Sequence, residues 1–169
     1  MSSADLLIDT FGRVKGVVHR VADGLTPEQL SFRLDDEANS IAWLIWHLSR
    51  IQDDHIADAA GSEQVYTSDG WADRLALPFK ASATGYGHSS DEVSSVRVDS
   101  GELLTGYHDA VYERTIRFVE PLTDVDLDRI VDEAWDPPVS LGVRLVSVIS
   151  DGLQHAGQAA LVRGIIERR

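Results

Sequence analysis

Apolar positions recur at spacings of three and four in four separate stretches of the chain. Over residues 3–22, Leu7, Phe11, Val14, Val18 and Val21 fall on one face, the stripe that an amphipathic helix buries. Ser40 is placed to cap a second helix that runs to about Ala60 through Trp43, Leu44, Leu48 and Ile51. A third spans about Ser100 to Val119 with Leu103, Leu104, Tyr107, Val111, Thr115 and Phe118 inward, and Pro121 helps to end it. The fourth, from about Ser140 to Glu167, is the most apolar. No stretch alternates convincingly in the manner of a strand. The pattern predicts an all-α fold, most simply a four-helix bundle, with residues 1–169 as a single domain.

The connections add to this. "LTPEQLSFR" (25–33) and "LTDVDLDRI" (122–130) share Leu-Thr, a second Leu and an Arg. Each Thr can cap a short helix, and Pro27 suits a first helical position. The chain therefore reads as a loose duplication of helix, capped turn, helix. Between the halves, residues 61–98 form a long connection rich in Gly, Ser and Asp. Connections of that length are usually functional or disordered. This one holds Trp71, Phe79, Tyr86 and His88, which favours a crossover packed over one end of the bundle.

Charge and composition then exclude whole classes of function. Net charge is −13, which argues against nucleic acid or an anionic membrane surface as a partner. The chain has no cysteine, so disulfides, thiolate metal sites and a cysteine nucleophile are excluded; any thiol chemistry needs a thiol from elsewhere. The N-terminus lacks the pattern of a signal peptide, and the longest strongly apolar run, "IAWLIW", is far short of a bilayer span. A cytoplasmic protein is expected.

Against that background the polar residues on the apolar helices stand out. Asp151 and His155 are four apart, one turn from each other on one helix face, with Val148 and Val162 on the same stripe. A buried acid needs a partner, and helical metal motifs use this spacing because two side chains can converge on one ion. Taken alone such a pair is more often structural. His47 is a third imidazole on an apolar stripe, between Trp43 and Ile51; alone, a hydrogen-bonded core histidine explains it better. Two such sites on different core helices change the balance, because facing helices of a bundle commonly build a metal centre. His47, Asp151 and His155 would make a two-histidine, one-carboxylate set with positions open to water and substrate. Zn²⁺, Ni²⁺ or Fe²⁺ would suit, and the ligand types do not choose among them. His55 lies about 80° round the helix from His47 and cannot easily share an ion with it. Asp54 shares the face of His47 but about 10 Å along the axis, which fits a supporting or surface role. His19 and His108 lie in polar stretches and read as solvated. His88 precedes a cap at Ser89 or Ser90 and could roof a pocket.

The segments "NSIAWLIWHLSRIQDDH", "GYGHSSDEV" and "DGLQHAGQAALVRG" resemble, in this order, the DinB-like family of four-helix metal proteins. Within it the chain is most similar to the branch that includes mycothiol-dependent maleylpyruvate isomerase and related thiol transferases. The resemblance implies a DinB-like bundle with a long crossover between its second and third helices, and His47, Asp151 and His155 as ligands of one divalent ion. It also implies a small thiol such as mycothiol or bacillithiol, held by the metal as thiolate and attacking a small electrophile. A homodimer is a further implication. No residue beyond the ligands is assigned a catalytic role. Gln158 and Arg163 are candidates for supporting a ligand or binding substrate, alongside Asp54 and His88; a helix–helix hydrogen bond and a cation near a helix C-terminus are their plainer explanations. The chain departs from the family at Asp151, where His or the longer Glu is usual, and it ends at Arg169 without the isomerase's further domain. Two other readings accompany this one: a non-catalytic stress or ligand-binding bundle, and a metal-dependent hydrolase. Gly152 and Gly157 each cost a helix roughly 1 kcal/mol against Ala, and close approach of a helix or ligand is the expected compensation.

Overall fold

The computed structural model describes residues 1–169, and side-chain caps set most of its helix starts. The Ser2 hydroxyl accepts from the Asp5 N–H, and the Asp5 carboxylate accepts from the Ser2 N–H. This reciprocal cap opens α1 (Ser3–Ala22). Thr26 and Gln29 do the same for the short α2 (Pro27–Leu30), with Pro27 in its first turn. Ser40 caps α3 (Ile41–Ala60), which Gly61 ends in the left-handed region. The crossover winds through α4 (Val65–Ser68), α5 (Trp71–Leu75) and α6 (Ser90–Ser94), the last capped by Ser89 and Glu92. Then come α7 (Gly101–Val119) and α8 (Leu141–Ile166), the latter capped by Ser140.

The four long helices close into a ring. α3 packs on α7 and α8, α1 packs on the same two, and each pair shares few contacts across its diagonal. The inward faces are those the spacing predicted: Phe11, Val14, Val18 and Val21 of α1, and Leu104, Tyr107, Val111 and Thr115 of α7, are all buried. Burying each large aliphatic or aromatic side chain stabilises the fold by about 1.5–3 kcal/mol. The first half of α3 is buried all round. Every residue from Ile41 to Arg50 is buried, because the crossover covers the side that α7 and α8 leave free. The fold is thus a bundle of four long helices.

The connection from α7 to α8 differs from expectation. Thr123 does not cap an α-helix: its hydroxyl donates to the Asp126 carboxylate, and a single 3₁₀ turn follows at Asp126–Asp128. The chain then forms a small antiparallel pair, β1 (Ile130–Asp132) and β2 (Val139–Ser140). Strands of three and two residues are too short to show alternation. The two halves therefore match in their long helices but not in their turns.

One buried polar network fixes the crossover. Arg50, wholly buried, donates to the carbonyls of Ala81 and Ala83 and lies over the Tyr66 ring. Its guanidinium also meets the Tyr107 hydroxyl and Asp53. Asp53 accepts from the N–H groups of Val65 and Tyr66 and from Tyr107 Oη–H, each at 2.8 Å. Burial pushes the Asp53 carboxyl up, while these donors oppose the shift.

Candidate metal centre

α3 and α8 run antiparallel, so His47 faces Asp151 and His155 near the crossover, while His55 meets Arg144 farther along. The structure brings the three predicted residues together: one donor atom from each of His47, Asp151 and His155 lies within 4.8 Å of the others. Asp151 Oδ1 stands 3.7 Å from His47 Nε2 and 3.4 Å from His155 Nε2. These separations exceed ordinary hydrogen bonds. They are close to the roughly 3.4 Å between ligand atoms that each lie about 2.1 Å from a tetrahedral ion. Asp151 is short, yet its carboxylate reaches both imidazoles.

Both imidazoles are held by their other nitrogen. The Thr84 carbonyl can only accept, so His47 Nδ1–H donates to it at 2.6 Å. His155 Nδ1 meets Gln158 Oε1 at 2.9 Å, three residues on along α8. Each contact turns Nε2 toward Asp151, the arrangement by which supporting groups orient metal-ligating histidines. Trp43 packs against both, stacked on His47 with centroids 4.5 Å apart and edge-on to His155 at 5.9 Å. Gly85 lies directly on this assembly at φ +91°. A Cβ there would fall 2.8 Å from His47 Nδ1 and 3.0 Å from Trp46, so only glycine fits.

The electrostatics suit a cation. Burial alone would raise the Asp151 carboxyl, but the adjacent His155 and His47 imidazoles outweigh it and hold the group at about 2. The adjacent Asp151 carboxylate raises His155, against its own burial. Asp151 Oδ2 is buried without any partner. A carboxylate kept ionised, with one oxygen unsatisfied beside two oriented imidazoles, could hold a divalent ion.

The remaining candidates divide. Gln158 orients His155 as described. His88 sits at the rim, its Nδ1 accepting from Trp43 Nε1–H at 3.3 Å. Asp54 does not join the centre; it accepts from Gln64 at 2.7 Å and lies near His55. Arg163 belongs neither to the centre nor to a free helix end. Its guanidinium donates to the carbonyls of Arg20, Val21 and Asp23, satisfying the C-terminal end of α1. His19 is exposed and paired with Asp109 at 2.7 Å. His108, expected to be solvated, is fully buried, because with Leu104, Val111 and Thr115 it forms the inward stripe of α7. Gly152 packs on Val14 of α1, whereas a Cβ on Gly157 would meet nothing; close approach therefore explains the first glycine and not the second. A surface cavity of about 600 Å³ lies elsewhere, between the end of α1 and the start of α7, and brings no comparable donor set together.

The sequence profile of the family described as mycothiol-S-transferase matches residues 6–168. A solved structure described as that of the conserved protein of locus from Enterococcus faecalis is 27% identical to this chain. That match covers 100% of this chain and 99% of the other, with a TM-score of 0.92. No curated protein matches. No helix is long and apolar enough to cross a membrane.

Proposed function

The chain belongs to the mycothiol S-transferase family, a DinB-like family, and from that premise we propose that it is a divalent-metal-dependent enzyme joining a small thiol of the mycothiol or bacillithiol type to small electrophiles. The observation that carries this reading is the convergence of His47, Asp151 and His155, with Asp151 Oδ2 left unpartnered. His47 and His155 would bind the ion through Nε2 and Asp151 through its carboxylate. When bound, a divalent ion, zinc in our reading, lowers the pKa of a coordinated thiol and so supplies a nucleophile at neutral pH. The chain's own residues do the rest. Thr84 and Gln158 hold the imidazoles in register, Trp43 shields one side from water, and the low pKa of Asp151 keeps its charge available. With no cysteine in the chain, the sulfur comes from the small thiol.

Elemental analysis of protein purified without a metal-affinity tag tests the premise: about one divalent ion per chain is expected, and none in His47→Ala or His155→Ala. Turnover of monobromobimane should require added mycothiol or bacillithiol. Protein that takes up no ion after incubation with Zn²⁺ or Ni²⁺ sinks the proposal. Hydrolysis of esters or amides without thiol would favour the hydrolase reading instead.

A homodimer is part of the same proposal. The exposed positions of α8 from Val143 to Leu161, among them Val146, Leu153 and Gly157, carry no charge in a chain of net −13. Two acidic copies can meet there without like-charge repulsion. Sedimentation should give a dimer, and Leu153→Glu a monomer that still binds metal; a wild-type monomer refutes this part.

A further inference from the structure

The crossover encloses a cavity that the metal centre does not use. About 380 Å³ of space lies among α4, α5 and the chain that follows them, with Tyr66, Ala72, Ala76, Phe79 and Ala81 in its walls and Asp73 as its one charged group. Its size and apolar lining suit a ring-sized molecule. Phe79 backs onto Trp46 and His88, with centroids 5.6 and 4.6 Å away, and His88 in turn meets Trp43 at the metal centre. An aromatic layer therefore divides the cavity from that centre. Two polar groups of the wall lack protein partners. Tyr66 is only 4% exposed, and Arg50 covers one face of its ring. Its hydroxyl gives its proton to no protein acceptor, yet it is not one of the buried unpartnered atoms; solvent reaches it through the cavity that Tyr66 lines. Burial pushes this hydroxyl's pKa up, so it keeps a proton to donate. Asp73 is exposed and pairs with no cation. Arg74 beside it lies over the Trp71 ring and donates to the Asp69 carbonyl, and Arg50 is spent on Asp53, Ala81 and Ala83. Ala76, where the chain leaves α5 toward Phe79, is the one non-glycine residue at positive φ, +48°, a strained conformation that persists only where its surroundings impose it.

We propose that this cavity is a second small-molecule site, selective for arylalkyl amines, with the ammonium paired to Asp73, the ring against Tyr66 and Phe79, and a ring hydroxyl on the Tyr66 hydroxyl. An apolar ring alone would enter any apolar cavity, so the polar groups supply the selection. A carboxylate without a counter-ion, in a chain of net −13, attracts a cation and repels an acid of the same shape. The Tyr66 O–H, lacking an acceptor, favours a ring that carries a hydroxyl over one that does not. Aromatic walls add offset or edge-on contacts to the bound ring. Binding here is non-covalent and needs no metal ion, so the site stands whether or not thiol transfer does.

Titration of ¹⁵N-labelled full-length protein with tyramine, followed by ¹H–¹⁵N correlation at physiological ionic strength, tests it. The largest amide shifts should fall within residues 66–81 and should saturate. The acid of the same shape, para-hydroxyphenylpropionate, should give no saturable shift over the same range. Asp73→Asn should weaken tyramine binding about threefold or more. Phenethylamine, which lacks the ring hydroxyl, should bind about threefold more weakly than tyramine, and Tyr66→Phe, which keeps the ring over Arg50, should erase that difference. Ala72→Trp should fill the cavity and abolish the shifts; Asp73→Asn changes only an exposed side chain and decides the matter if Ala72→Trp does not fold. No saturable shift with tyramine, equal affinity for the amine and the acid, or an Asp73→Asn protein that binds as well as wild type overturns the proposal. Shifts centred on His47 and His155 overturn it too, since they place the amine at the metal centre.

Discussion

Two polar clusters lie one turn apart on α3, and they answer the cost of burial in opposite ways. Around Arg50 and Asp53 the donors and acceptors are matched: two crossover carbonyls, two crossover N–H groups and the Tyr107 hydroxyl saturate the ion pair. Around His47 the outer nitrogens are matched, by Thr84 and Gln158, but the inner atoms face one another at 3.4–3.7 Å and Asp151 Oδ2 has nothing. A saturated network holds structure in place, whereas convergent unsatisfied donors await a ligand. Charge and burial are present in both, so neither property alone separates a brace from a site.

The comparison can be broken most forcefully at Asp53. Asp53→Ala leaves Arg50 buried without its counter-charge and should cost about 3–5 kcal/mol, read by urea denaturation. A loss below about 1 kcal/mol would mean the network is not the brace described. His108 sharpens the distinction, since its Nε2 is also buried and unpartnered but has no convergent donors. Its Nδ1–H donates to Ser49 Oγ, whose own proton goes to the Ile45 carbonyl. Burial pushes its pKa from 6.5 down to about 4, so in that interval the unfolded chain binds a proton that the folded chain refuses. Stability should therefore fall as pH drops from 6.5 to about 4, by roughly 3 kcal/mol at about 1.4 kcal/mol per pH unit. This component should vanish in His108→Leu, with metal content unchanged.

Loading the centre comes next in size. An ion at a hundred times its Kd should add about 2.7 kcal/mol, measured as a rise in Tm that Asp151→Asn abolishes. The same Asp151→Asn change in metal-free protein should cost only about 1 kcal/mol, since the pair is partly solvated; a cost as large as that of Asp53→Ala would erase the contrast. Smallest of all, Gly157→Ala should stabilise by about 0.5–1 kcal/mol, because the added methyl meets open space.

The long helices were legible because each buries a stripe of apolar residues at helical spacing, and Ser40 and Ser140 announce two of their starts. The convergence of His47, Asp151 and His155 was legible for a related reason: each interrupts such a stripe with a group that needs a partner. Arg50 and Asp53 escaped notice because "HLSRIQDDH" reads as a solvated turn of helix; what buries them is a crossover whose path depends on carbonyls that carry no side-chain signal. His108 was misread from its charged neighbours, although Leu104 and Val111, four before and three after, marked its face. Arg163 looked like a free cation because the carbonyls it satisfies come from the far end of the chain. The β1–β2 pair left no trace in so few residues.

The Thr84–Gly85 contact with His47 gives the centre a kinetic character. The carbonyl that orients the ligand belongs to a segment tied to the bundle through Arg50, so His47 can turn away only when that segment lifts. In the proposed metal-bound form, ion escape would then follow the opening frequency of residues 81–85 rather than the strength of the coordinate bonds. Substitutions that weaken the brace would shorten the ion's residence time while leaving equilibrium occupancy at saturating metal almost untouched.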